Sequence, residues 1–174
     1  RLVEEGGHMA WLPDSSGLVF LHGDQFARTD VASGSVVPLT ISGPSRLPIF
    51  SVSPDGQWIV YQSPDGGDMD LLRVPITGGE ARVALRTEKQ DFHPSFSPSG
   101  RWLYFQTDHR NLWRVPGSAQ DWRAAAPEKI TNFPESGLYI EDPLLSADGK
   151  RLVYSRVRIS ADLWIVELDQ AGKR

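Results

Sequence analysis

Ser97-Pro98-Ser99-Gly100-Arg101-Trp102-Leu103-Tyr104-Phe105-Gln106-Thr107 is a small polar turn that breaks into a run of aromatic and aliphatic residues. Such a run suits a buried β-strand, and the turn before it supplies the residues a sharp reversal needs. The design recurs as Ser53-Pro54-Asp55-Gly56-Gln57-Trp58-Ile59-Val60-Tyr61 and as Ser146-Ala147-Asp148-Gly149-Lys150-Arg151-Leu152-Val153-Tyr154. A more diverged copy is Leu12-Pro13-Asp14-Ser15-Ser16-Gly17-Leu18-Val19-Phe20, in which Ser15-Ser16-Gly17 replaces the tight turn, so a wider turn is expected there. In each copy the closing aromatic (Phe20, Tyr61, Phe105, Tyr154) follows the first turn position (Pro13, Pro54, Pro98, Ala147) by 7 residues. Successive copies are 41, 44 and 49 residues apart, the period of a four-stranded propeller blade.

The segments between the copies fill in the remaining strands. Inner strands are expected at His8–Trp11, Ile49–Val52 and Asp91–Phe96, with Leu144-Leu145 in the fourth unit. Third strands are expected at Phe26–Asp30, Leu71–Val74, Asn111–Pro116 and Asp162–Glu167; Asp70, Asn111 and Asp162 open the last three as Asp/Asn-Leu-Leu/Trp. Outer strands follow at Val36–Leu39, Ala81–Leu85 and Lys129–Thr131. Pro38 lacks a ladder donor and belongs at an edge, and Gly78-Gly79 suits a hairpin turn. Gln120–Ala126 has the composition for one helical turn on the rim. The fold expected is therefore all-β, a propeller of four-stranded antiparallel blades with four repeats in this chain. The units are 8–46, 47–90, 91–137 and 138–174, the last without its outer strand. Residues 1–7, with Arg1-Leu2-Val3, read as the outer strand of another blade, as in a ring closed by pairing its two ends.

The 174 residues carry a formal charge of −4, which gives no basic footprint for nucleic acid or anionic membrane. There is no apolar run near 20 residues. The absence of cysteine excludes disulfides and thiolate metal sites. Trp11, Trp58, Trp102 and Trp164 sit within the repeats and are expected to pack between sheets.

The turns Ser53-Pro54-Asp55-Gly56 and Ser97-Pro98-Ser99-Gly100, each followed by tryptophan and an aromatic-ended strand, resemble the repeats of TolB-like propellers, which are WD40-like in architecture. The resemblance covers almost the whole chain. It implies a bacterial module that is either periplasmic or otherwise extracytoplasmic, or joined to a regulator or kinase in a longer parent chain. It also implies rings of about six to eight blades, so four repeats call for more blades or for a homodimer. An open half-ring would leave an apolar flank in water.

Alignment of the repeats brings the starts of the inner strands to one mouth of the central channel. His8, Ile49, His93 and Asp142 occupy equivalent places, with Glu141 and Asp91 close by. The candidate ligand-binding residues are therefore His8, Asp91, His93, Glu141 and Asp142, a set able to hold a divalent metal or a cationic ligand, or to stand as hydrated channel residues. No cofactor is implied. Asp65–Asp70 is rich in carboxylates, but its spacing is not that of a calcium loop. No Gly-x-Ser-x-Gly elbow and no nucleophile paired with histidine is present. Arg28, Arg73 and Arg114 recur at one third-strand position and are expected to make an inter-blade ion pair.

The function expected is a non-catalytic binding or scaffold module for a protein, peptide or small ligand, with no membrane insertion. Two alternatives stand beside it. One is the propeller that gates a prolyl-oligopeptidase-like serine peptidase, its hydrolase domain lying elsewhere. The other is a purely structural assembly protein.

Overall fold

A computed structural model describes residues 8–23, 25–42, 49–65, 67–117, 122, 125–133, 137–146 and 148–158, without the side chains of Ser42, Asp65 and Asp142. The strands expected at Arg1–Val3 and Asp162–Glu167, and the helical turn at Gln120–Ala126 apart from Trp122, Ala125 and Ala126, lie outside the described residues. No helix among those described is long and apolar enough to cross a membrane.

The repeats fold as successive antiparallel sheets, each built by local hairpins. Strands β1 (Met9–Trp11), β2 (Gly17–His22), β3 (Gln25–Asp30) and β4 (Val36–Pro38) form the first sheet, in that order. After β5 (Ile41–Ser42) come β6 (Phe50–Val52), β7 (Trp58–Asp65), β8 (Asp68–Pro75), β9 (Gly79–Glu80) and β10 (Arg82–Leu85). The second sheet runs β6-β7-β8-β10. The third consists of β11 (Asp91–Phe96), β12 (Trp102–Thr107), β13 (Asn111–Pro116) and β14 (Glu128–Lys129). The fourth is described as a hairpin of β15 (Leu138–Leu145) and β16 (Leu152–Arg158).

Every copy of the repeated phrase makes the same turn. The amide of Gly56 donates to the carbonyl of Ser53 at 2.8 Å, Gly100 to Ser97 at 2.9 Å and Gly149 to Ser146 at 2.8 Å. These glycines hold φ of 68°, 70° and 67°. The first copy does not widen, contrary to expectation. Ser15 takes the left-handed place at φ 60°, and its amide reaches Leu12 at 2.9 Å. Asp14 supports it by accepting from the amide and hydroxyl of Ser16 at 3.0 and 2.7 Å. A local hydrogen-bonded clasp thus holds a backbone conformation that would otherwise favour glycine. In the other copies the serine at the head of the phrase also accepts an amide, from Trp58 at 2.9 Å and from Trp102 at 3.0 Å.

The middle strands are buried on both faces: five successive residues of β2 are shielded, as are Ile59, Val60 and Tyr61 of β7. Such strands need apolar cover on either side, and the neighbouring sheets supply it. One core lies between the first and second sheets, where Phe26 meets Phe50 and Tyr61 edge-on, with ring centroids 5.0 and 5.4 Å apart. A second lies between the second and third sheets and joins Val60, Leu71 and Leu85 to Leu103, Phe105 and Val115. The parallel bridge of β5 to β9 also ties the connection after the first sheet to the second. Gly78 is required there, since a Cβ at its φ of 86° would stand 2.8 Å from the Thr40 carbonyl oxygen.

The arginines and tryptophans depart from expectation. Arg114 pairs with Glu128 of its own sheet through two hydrogen bonds of 2.9 and 3.0 Å, and lies 4.0 Å from the centre of the Trp102 ring. Arg73 lies 4.7 Å from the centre of the Trp58 ring and 5.8 Å from that of Trp122. A guanidinium stacks well on an indole face, so Trp58 and Trp102 serve as platforms for arginine more than as inter-sheet filler. Trp11 is exposed.

Candidate functional site

The inner strands β1, β6, β11 and β15 contribute to one cleft of about 160 Å³, whose lining includes His8, Ile49, Ser51, His93, Ser95 and Leu144. His8 and His93 are two full repeats apart in sequence and line one cleft only because the sheets stack side by side. The His8 ring lies edge-on to Phe50 with centroids 4.9 Å apart.

His93 owes its position to a β-bulge. Phe92 pairs with Gln106 and Ser95 with Tyr104, so the register shifts by one residue across His93-Pro94. Proline cannot donate to the ladder, and His93 absorbs the irregularity at φ 52°. The same shift falls at Asp142-Pro143, between Glu141 and Leu144 of β15. The His93 amide donates to Gln62 Oε1 of the preceding blade at 2.9 Å. Gln106, fully buried, repeats the device by donating from Nε2 to the Ile140 carbonyl at 3.0 Å. Each glutamine directly follows the closing aromatic of its phrase, and each clips its blade to the next inner strand.

The other expected site residues divide. Asp91 does not face the cleft. It is fully buried and accepts from the amide and hydroxyl of Thr87, both at 2.9 Å. Burial pushes its carboxyl up to about 6, against the pull of those hydrogen bonds. Glu141 is exposed on β15, and the side chain of Asp142 lies outside the described residues. Of the carboxylates expected at the mouth, Asp91 is thus engaged by Thr87 rather than by the two imidazoles. Among the described residues, no three His, Asp or Glu side chains come together in a way that would hold a metal ion.

His109 was missed as a neighbour of this mouth. It stacks on Phe92 with centroids 3.7 Å apart and lies 6.0 Å from His93, edge-on. Its turn joins β12 to β13 with φ 51° at Asp108 and 52° at His109, and the Arg110 amide closes on Thr107 at 3.0 Å. Burial holds the His109 imidazole below the ordinary histidine range, while Glu141 and Asp108 pull the other way. The signal was available in sequence: the turn after the second strand lies at the same end of the blade as the start of the first.

Sheets of this topology, packed face to flank around the starts of their inner strands, form a propeller. The fold is that of the TolB-like β-propellers. TolB of Acinetobacter baumannii superimposes with a TM-score of 0.66 at 19% identity, over 84% of this chain and 36% of that one. An oligogalacturonate lyase of Vibrio parahaemolyticus gives 0.65 at 15% identity, over 90% of this chain and 49% of that one. In sequence, the protein Atu1656 of Agrobacterium fabrum is 28% identical over 133 residues, 73% of this chain. The chain spans 45% of the length of that curated relative. No family model matches.

Asp91 gives the site region a pH dependence of defined sign. Its folded-state value lies above the ordinary carboxylate value, so its contribution is fully present below about pH 4 and is lost as pH rises through about 6. A shift from 3.8 to about 6 corresponds to roughly 3 kcal/mol. Asp91→Asn, neutral throughout, should gain stability relative to the parent by a sizeable part of that amount between pH 4 and 7, measured by urea unfolding. A stability difference that stays constant over this range would refute the assignment.

Proposed function

We propose that this propeller is a non-catalytic binding module that recognises a peptide, protein or small ligand at the mouth where its inner strands begin. One observation carries the reading: His8 and His93 line one cleft together with the hydroxyl-bearing Ser51 and Ser95 and the apolar Leu144. Apolar walls with a few polar groups are the usual make-up of a recognition site, and neutral imidazoles both donate and accept. The fold itself does not decide between binding and catalysis, because propellers host both, an oligogalacturonate lyase among them.

Peptides selected against the protein from a displayed random library should bind at the mouth. Their affinity should fall about tenfold or more in a His8→Ala/His93→Ala double variant, the range for a lost hydrogen-bonding anchor. Ser33→Arg, on the exposed turn between β3 and β4, should leave it unchanged. Binders indifferent to the double variant would contradict the reading.

We further propose that a second copy completes the ring. Trp11 is 58% exposed, whereas Val52 at the equivalent place in the second sheet is 9% exposed. Val153 is 66% exposed, whereas its equivalent Val60 is fully buried. Trp11 and Val153 hold the positions that face a preceding and a following blade, and each lacks the cover that its interior counterpart has. Light scattering should give the mass of a dimer across a dilution series, and the mass of one chain throughout would count against it.

A further inference from the structure

On its two outer strands, away from the inner strand that lines the mouth, the second sheet sets two arginines directly opposite one another. Arg73 of β8 is in register with Arg82 of β10. The equivalent place opposite Arg114 in the third sheet is Glu128, and opposite Arg28 in the first it is Val37. Like charges directly across a ladder destabilise a sheet, and opposite charges support it. Blade two therefore departs from its neighbours at the one position where blade three supplies a carboxylate of its own.

Among the described residues, Glu80 is the one carboxylate that meets the pair, and it does so through Arg82. Arg73 is half-buried between the rings of Trp58 and Trp122. Among the described residues it lies against these two ring faces and has no carboxylate partner. Arg82 meets Glu80 at 3.2 Å, with both side chains more than two-thirds exposed, an arrangement that contributes little. Trp58, Arg73, Pro75, Glu80 and Arg82 together line a cleft of about 280 Å³.

We propose that this cleft binds a small carboxylate anion. Arg73 and the donors of Arg82 not used by Glu80 supply N–H groups whose planar fork matches a carboxylate. Trp58 and Pro75 form the apolar wall against which the rest of the ligand lies. The volume sits just under the range of sites for drug-sized molecules, which fits an acid of few carbon atoms. Glu128 on Arg114 shows the occupied form of the same arrangement, with the chain's own carboxylate in place of the ligand's. The site is separate from the channel mouth and does not depend on what binds there.

The test is a titration of the ¹⁵N-labelled protein with sodium acetate, with sodium chloride as the control at constant ionic strength. The Arg73 Nε–Hε resonance should shift saturably with acetate and not with chloride. Arg82→Glu, which installs the third blade's arrangement, should bind acetate about tenfold more weakly or worse, the loss expected for a charge-assisted hydrogen bond. It should also raise the melting temperature in the absence of acetate. Acetate acting no differently from chloride, or Arg82→Glu titrating like the parent, overturns the proposal.

Discussion

Each interior sheet of this protein has two apolar faces, and a sheet of that kind is stable only between neighbours. Ile59 and Tyr61 turn toward the first sheet, while Val60 and Leu71 turn toward the third, and all four are fully buried. No single centre collects the apolar side chains. Burial of a large side chain contributes about 1.5–3 kcal/mol, and here those contributions are distributed over the interfaces between sheets. Stability is therefore a property of adjacency, as in other repeat architectures.

Adjacency also creates the candidate site. A blade alone would hold its inner-strand histidine at a free edge. Packing side by side brings His8 and His93 to one cleft and leaves their positions dependent on the interfaces. Gln62 and Gln106 strengthen that dependence, because each spends a side-chain amide on the backbone of the next inner strand. The bulges at His93-Pro94 and Asp142-Pro143 then turn the strands where they line the cleft. Asp91 belongs to this scaffolding through Thr87, and Asp70 does too, through Arg86 at 2.6 Å.

Most of the fold was legible because the repeated phrase carries its own turn chemistry and its own strand pattern. The strands that close each phrase fall where the aromatic runs place them, and Gly56, Gly100 and Gly149 hold the left-handed conformation that their turn demands. Ser15 was misread because a side-chain clasp, rather than the residue's intrinsic preference, fixes its backbone. The arginine repeat was misread for a different reason. Its partner is chosen by cross-strand register, and neither Glu128 nor Arg82 is recognisable as the opposite residue until the outer strands are aligned. At the mouth, repeat alignment put His8 and His93 at equivalent strand starts, and both line one cleft. It could not tell that Asp91 points into protein, since alternation along a strand is interrupted next to a bulge.

If blades hold one another through side chains that meet between sheets, Phe26 and Phe50 must be energetically coupled. A double-mutant cycle with Phe26→Leu, Phe50→Leu and both together, followed by urea unfolding, measures that coupling. An edge-to-face pair 5.0 Å apart should show an interaction energy of about 0.5–1.5 kcal/mol. Effects that add to within about 0.3 kcal/mol would contradict the packing of the first two sheets.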